Sequence, residues 1–184
     1  MLKRHFFSLL LIAITSIVIS GCDLFDKVDD VTFDGEIVEE GVIEGSRSDK
    51  GVISYEENID IEAAKNPEVA RFSNKIKDFE IRKITFEITE FKSSALKVNT
   101  SGALFYIKSS SKVLLAEVKD FNITSAFMNA VSFTLPANES ELKELSALLK
   151  ADKKFNLLFT GTLSAPVTFK FKIVIDAKIV AETV

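Results

Sequence analysis

The polypeptide offers little to do chemistry with. Its one histidine is His5 and its one cysteine is Cys22, the two residue types on which general acid–base and nucleophilic catalysis lean most often. Ser109-Ser110-Ser111-Lys112 has the spacing of a serine–lysine nucleophile pair, but no supporting motif accompanies it, and it reads as a polar turn. Zinc and copper sites would have to do without their favoured nitrogen and sulfur donors. No glycine-rich phosphate loop is present among seven glycines.

Carboxylates remain. In "DDVTFDGE", Asp30, Asp34 and Gly35 fall at positions one, five and six of a calcium loop. Thr32 holds the third position, and the twelfth is Gly41 where a bidentate glutamate should stand, with Glu40 one residue early. Alternation through Val31 and Phe33 reads as a strand, so the stretch is taken as an acidic edge or tether. A glycosidase pair can lie far apart in the chain, and nothing nominates one. Neither a catalytic residue, a metal ligand nor a cofactor is assigned.

Cys22 is different. Lys3 and Arg4 precede a run of fourteen mostly apolar residues, Phe6 to Ile19. That is short of the roughly 20 needed to span a bilayer and suits a signal-peptide core. The run closes on Ile19-Ser20-Gly21-Cys22, which resembles the lipobox of bacterial lipoproteins. The resemblance implies that Cys22 gains a diacylglycerol (palmitate-type chains), that the chain is cut before it, and that its new amino group is acylated. One acyl chain holds a protein only marginally, at about 0.8 kcal/mol per buried CH₂; three would anchor it for good. Residues 1–21, His5 included, would then be removed.

In enteric bacteria an aspartate directly after that cysteine, as Asp23 is here, resembles an inner-membrane retention signal. Other bacterial groups do not read it so, and in some an acidic stretch near the cysteine accompanies export to the surface. The expectation is a lipid anchor in the outer membrane rather than the inner, facing inward or outward.

Without Lys3 and Arg4 the chain carries 21 cations against 27 acids, a net charge of −6. Asp23 to Glu57 holds twelve acids and three bases, a segment that anionic headgroups would repel. No basic nucleic-acid footprint is present. Residues 22–30 form the lipidated cysteine and an acidic tether with a reach of roughly 25 Å. Residues 31–184 form a single domain. "GVIEGSRSDKG", Gly41 to Gly51, reads as a mobile loop.

From Val31 onward period-two alternation dominates, the mark of half-buried strands. In "PVTFKFKIVIDAKIVAE", Val167, Phe169, Phe171, Ile173, Ile175, Ala177, Ile179 and Ala181 share one face. At about 3.3 Å per residue this run spans roughly 50 Å, so it is expected to bend or to serve two sheets in turn. "FMNAVSFTL" reads the same way, with Phe127, Val131, Phe133 and Leu135 in phase. In "DFEIRKITFEITEF" the phase slips from Phe79 and Ile81 to Ile84, Phe86 and Ile88, then back at Phe91, which a β-bulge would absorb. Further strands are expected at Val31–Val38, Val52–Tyr55, Leu96–Asn99, Ala103–Lys108, Val113–Ile123 and Lys154–Leu163.

Two short helices are expected as lids over sandwich ends. Asn66-Pro67 offers a cap and a first-turn proline, with Val69, Phe72 and Ile76 as an apolar stripe. Asn138 to Lys150 has early acids and late lysines, matching the helix dipole, and Leu142, Leu145 and Leu149 face one way. The sum is an all-β fold: an antiparallel β-sandwich of seven or more strands, with an immunoglobulin-like form in view and a closed barrel as the alternative. Fourteen phenylalanines from Asp23 onward, with no tryptophan, would build its core.

"NPEVARFSNKIKDFEIRKITFEITEF" and "FNLLFTGTLSAPVTFKFKIVIDAKI" are similar to a loose class of uncharacterised bacterial lipoproteins. There a short helix precedes a Lys-Ile-Lys entry into a long strand, and a Gly-Thr turn precedes a proline-led final strand. The resemblance implies the sandwich and names no activity. Three functions follow. The first is a non-enzymatic binding or structural module of the envelope, tethered to the membrane through Cys22, with an envelope or extracellular protein or a glycan as partner and no nucleic acid. The second is a carrier of an apolar ligand or lipid, with "ALFYIK" and "VLLAEV" lining a cavity. The third is a carboxylate-based envelope enzyme. The sequons at Asn99, Asn122 and Asn138 are read as chance matches.

Overall fold

The structure, a computed structural model, describes residues 30–47 and 52–183. Ile19, Ser20, Gly21, Cys22 and most of the tether lie outside the described residues, as do residues 48–51. In chain order come β1 (Asp30–Arg47), β2 (Ile53–Glu62), α1 (Pro67–Arg71), β3 (Ile76–Lys92), β4 (Asn99–Lys108) and β5 (Ser111–Asn122). Then follow α2 (Ile123–Met128), β6 (Ser132–Thr134), α3 (Glu139–Asp152), β7 (Lys154–Leu163) and β8 (Val167–Glu182).

The strands pair antiparallel in nested order: β1 with β8, β2 with β7, β3 with β6, β4 with β5. This is one long hairpin folded back on itself. Wrapping it brings β8 against β3 and β7 against β4, giving the sheets β6-β3-β8-β1 and β2-β7-β4-β5. The two join where Ser46 and Arg47 of β1 pair with Ser54 and Ile53 of β2. This is a jelly roll, the double-sheet member of the antiparallel sandwiches. An immunoglobulin fold keeps its first two strands in one sheet; here β1 and β2 belong to opposite sheets. Nor is it a closed barrel, because β5 and β6 end the strand order without pairing.

Strand β8 is the middle of the first sheet. Its inward row from Val167 to Ala181 is buried throughout. It pairs with β1 from Gly45↔Val167 to Asp30↔Glu182 without a break, and with β3 on its other side. It therefore does not pass to the second sheet. Strand β3 gains one residue on β8 at each of three register shifts, between Ile76 and Asp78, Ile81 and Lys83, and Ile88 and Glu90. The last two are the phase slips visible in the sequence. The extra residues are put to use, since Lys77 reaches Asp30 and Glu182, and Arg82 reaches Asp34 and Asp176, across the outer face.

Among the described residues three α-helices form where two were expected, each capped by an asparagine. Asn66 accepts from the amides of Glu68 and Val69, Asn122 from that of Ser125, and Asn138 from that of Glu141 within a capping box. Two of the three sequon asparagines are thus caps. Helix α1 stops at Arg71, so Phe72 is its C-cap and Ile76 already belongs to β3; the expected stripe is not a helical one. Helix α3 borders β3 rather than closing an end of the sandwich: the Ile81 amide donates to Ser146 Oγ at 2.9 Å, covering an edge that the three-residue β6 leaves bare.

Other expectations fail for identifiable reasons. Phe127 and Met128 lie in α2, and strand β6 spans Ser132–Thr134 alone. Leu96, in a turn, is 98% exposed. Gly161-Thr162 is not a turn but lies inside β7. The expected loop after Gly41 continues β1 to Arg47. Gly41 and Gly45 face inward in register with Ile43, and a Cβ at Gly41 would collide with Ile59 Cδ1 and come 2.5 Å from Phe171 Cζ. These glycines mark close approach between layers, not flexibility.

That contact yields a stability test. Gly41→Val adds a good strand former, yet it should lower the unfolding free energy by about 3 kcal/mol through overpacking against the Phe171 ring. Urea denaturation reads this directly; unchanged or raised stability would show that the layers do not meet at Gly41.

Candidate functional site

The candidate calcium residues Asp30, Thr32, Asp34, Gly35, Glu40 and Gly41 lie in the extended β1, not in a loop that could wrap an ion. Asp30 instead pairs with Lys77 at 2.8 Å. Among the described residues no three His, Cys, Asp or Glu side chains are grouped to hold a metal. Ser109 and Ser110 form the two-residue turn between β4 and β5, with φ of 48° and 69°, while Ser111 and Lys112 begin β5. This is a polar turn, as the sequence suggested.

What the fold builds instead is a cavity of about 270 Å³ between the sheets. Its floor is an aromatic cluster that joins the layers: Phe86 of β3 and Phe171 of β8 both meet Phe159 of β7, with ring centroids 5.3 and 4.9 Å apart. Opposite stand small residues, Gly102 and Ala103 of β4 and Ala116 of β5. Large rings on one side and missing side chains on the other leave the space. Six phenylalanines line it, with Phe121 of β5 and Phe133 of β6 meeting edge-on at 4.5 Å. Those two edge strands also bring the exposed Glu117 and Thr134 to the lining. Leu114 and Val118 of β5, each 44% exposed, continue the apolar surface outward.

The hollow opens to solvent, so its size bears on what it can admit rather than on stability. An engineered cavity of about 150 Å³ takes benzene, so this one is large enough for a small apolar molecule or part of an acyl chain.

One polar spot interrupts the apolar wall. The Tyr55 hydroxyl lies 3.0 Å from Thr100 Oγ1, which in turn donates to the Thr162 carbonyl at 3.1 Å. The phenol fits there because the β4–β7 partners Gly102 and Gly161 have no side chains. A Cβ would come 2.9 and 2.6 Å from the hydroxyl, respectively. Burial pushes the Tyr55 pKa above its ordinary value, and the bond to Thr100 opposes the shift in part.

The sequence pointed to "ALFYIK" and "VLLAEV", and Ala103, Leu104, Ala116, Glu117 and Val118 do line the cavity. It did not point to Tyr55, Thr100 or Gly161. The signal that could have found them is a glycine inside each of two strand patterns, a mark of close approach.

Outside the cavity two buried polar groups tie the layers together. The inward-facing Glu39, 6% exposed, accepts from the Glu62 amide and from Lys65 Nζ. Tyr106 of β4, fully buried, donates to Glu144 of α3 at 2.5 Å. Burial first, and then that carboxylate, push the Tyr106 pKa up to about 12. The Tyr106 hydroxyl and Lys108 hold Glu144 below the usual carboxylate range.

No family model and no curated protein matches the chain. Among solved structures it is similar to turnip yellow mosaic virus at 100 K, with 12% identity over 85% of this chain and 96% of that one, at a TM-score of 0.45. Desmodium yellow mottle tymovirus gives 11% identity, 85% and 89% coverage and a TM-score of 0.41. The 60-mer BFDV capsid protein gives 7% identity, 87% and 98% coverage and a TM-score of 0.37. No activity or assembly is carried over from any of them. By its own geometry, the described chain is an eight-stranded jelly roll with an apolar cavity between its sheets.

Tyr55 and Tyr106 are the chain's two tyrosines, and both have raised pKa values. A raised folded value stabilises the fold below the unfolded pKa near 10, and that contribution is lost as pH climbs through the folded values. Absorbance at about 295 nm, where tyrosinate absorbs, should therefore show both tyrosines of the native protein titrating above the free-tyrosine value near 10, Tyr106 at about 12. A native midpoint at or below the free-tyrosine value would contradict the burial of both rings.

Proposed function

We propose that this chain is a cell-envelope lipoprotein whose jelly-roll domain binds an apolar ligand between its sheets and performs no reaction on it. The observation that carries the reading is the cavity, about 270 Å³ and walled by six phenylalanines, with no cationic side chain in its lining. Tyr55 has no general base beside it; its hydroxyl partner is another hydroxyl, Thr100. The side chains are those of a container.

The anchor rests on the cationic start, the fourteen-residue apolar run and Ile19-Ser20-Gly21-Cys22. Lipidated Cys22 holds the domain to the outer membrane. The tether reaches β1 at Asp30, and Ile43, which lines the cavity, stands thirteen residues further along the same strand. At about 3.3 Å per residue that is roughly 40 Å, which sets the cavity toward the end of the domain away from the tether. Exchange then takes place with a partner in the envelope or outside the cell. A second reading, a module that holds such a partner by strand addition, draws on the outer edge of β5 with its exposed Leu114 and Val118.

Two experiments test this. The chain from Cys22 onward, carrying Cys22→Ser to keep it free of lipid, should bind the neutral probe N-phenylnaphthylamine while showing cooperative unfolding. Ala116→Phe, which fills the cavity, should weaken that binding at least about tenfold, or about 1.4 kcal/mol, without lowering stability. If the filled variant binds equally well, the cavity is not the site. In cells, Cys22→Ser should move the protein from the membrane to the soluble fraction; continued membrane association would overturn the anchor.

A further inference from the structure

We infer that the cavity selects a neutral apolar molecule carrying a hydroxyl group, a long-chain alcohol in chemical class, over the corresponding carboxylate or ammonium. This rests on the cavity being a binding site at all, as proposed above.

The selection rests on a proton count at the Tyr55–Thr100 pair, the polar lining side chains other than the exposed Glu117 and Thr134. Thr100 Oγ1 lies 3.1 Å from the Thr162 carbonyl oxygen. A carbonyl oxygen only accepts, so the threonine proton is committed there. Thr100 Oγ1 must then act as acceptor in its 3.0 Å bond with the Tyr55 hydroxyl, which commits the phenolic proton as well. What Tyr55 has left to offer the cavity is an oxygen lone pair. The spot accepts and does not donate.

A hydroxyl can donate to it. A carboxylate cannot, and it finds no lysine, arginine or histidine in the lining, while Glu117 there adds repulsion. An ammonium could donate, but at Tyr55 its partners would be uncharged hydroxyls, and the one carboxylate in the lining, Glu117, is an exposed side chain of β5, so it would lose its water with little return. Glycine at both 102 and 161 is what lets the phenol take this position, since a Cβ at either site would crowd its oxygen.

The test uses the chain from Cys22 onward with Cys22→Ser, loaded with N-phenylnaphthylamine and titrated with decanol, decanoate or decylammonium at about pH 8, where the two ions are fully charged. Decanol should displace the probe at a concentration at least about tenfold lower than either ion. Tyr55→Phe should weaken decanol and leave decanoate unchanged, while Glu117→Gln should improve decanoate and leave decanol unchanged. Decanoate or decylammonium competing as well as decanol in the unsubstituted chain would overturn the inference and leave the cavity reading standing. A protein that binds no probe would instead remove the cavity reading, and this inference with it. The comparison among competitors needs no variant to fold.

Discussion

Burial of one face of β8 is the constraint on which the rest of the structure depends. Ile173, Ile175, Ala177, Ile179 and Ala181 have no solvent exposure at all, and each large side chain contributes about 1.5–3 kcal/mol by leaving water. Those side chains need a second layer to pack against, and β8 needs a partner strand on each edge. Strands β1 and β3 supply the edges, and nested pairing then assigns every other strand its place. A one-residue slip of β8 would turn the whole row outward. The unbroken register with β1 and the outer-face ion pairs of Lys77 and Arg82 act against that slip.

Distance between the layers is set by which inward residues lack side chains. At Gly41 and Gly45 the layers close on Ile59 and Leu163 of the facing sheet, with the Phe171 ring beside Gly41 in its own sheet. Further along, Phe86, Phe159 and Phe171 hold the sheets apart while Gly102, Ala103 and Ala116 decline to fill the gap. Close packing and void are thus two outcomes of one device, small residues facing large ones. Helix α3 covers the adjoining edge of β3 through Ser146.

The charged groups keep to the outside and pair there. Exposed pairs such as Lys143–Glu139 and Lys170–Glu90 contribute little each, but they keep a strongly alternating surface soluble and of modest net charge. The exceptions, Glu39 and Tyr106, are inward groups whose partners come from another element, so they fix how the elements sit rather than how tightly they bind.

Local pattern was enough wherever a segment's own residues decide its state. The β8 row, the start and end of β7, the cap at Asn66, and the bulges of β3 were all legible, because alternation, capping and phase are properties of consecutive residues. Pattern misled where a residue's meaning lies in its neighbour across the layers. Gly41, Gly45 and Gly161 look like turn signals in isolation, and only Ile59, Phe171, Leu163 and Tyr55 packed against them show that they are strand residues. The strands expected to end at Ile123 and to begin at Phe127 give way to α2, which Asn122 caps. The sequence by itself therefore determined an all-β domain preceded by an apolar run that closes on Cys22. The nesting of the strands, the cavity and the Tyr55–Thr100 pair in its wall were decided by tertiary structure alone. They join residues such as Tyr55, Thr100 and Phe159, which are far apart in the chain and carry no mark of one another until the hairpin wraps.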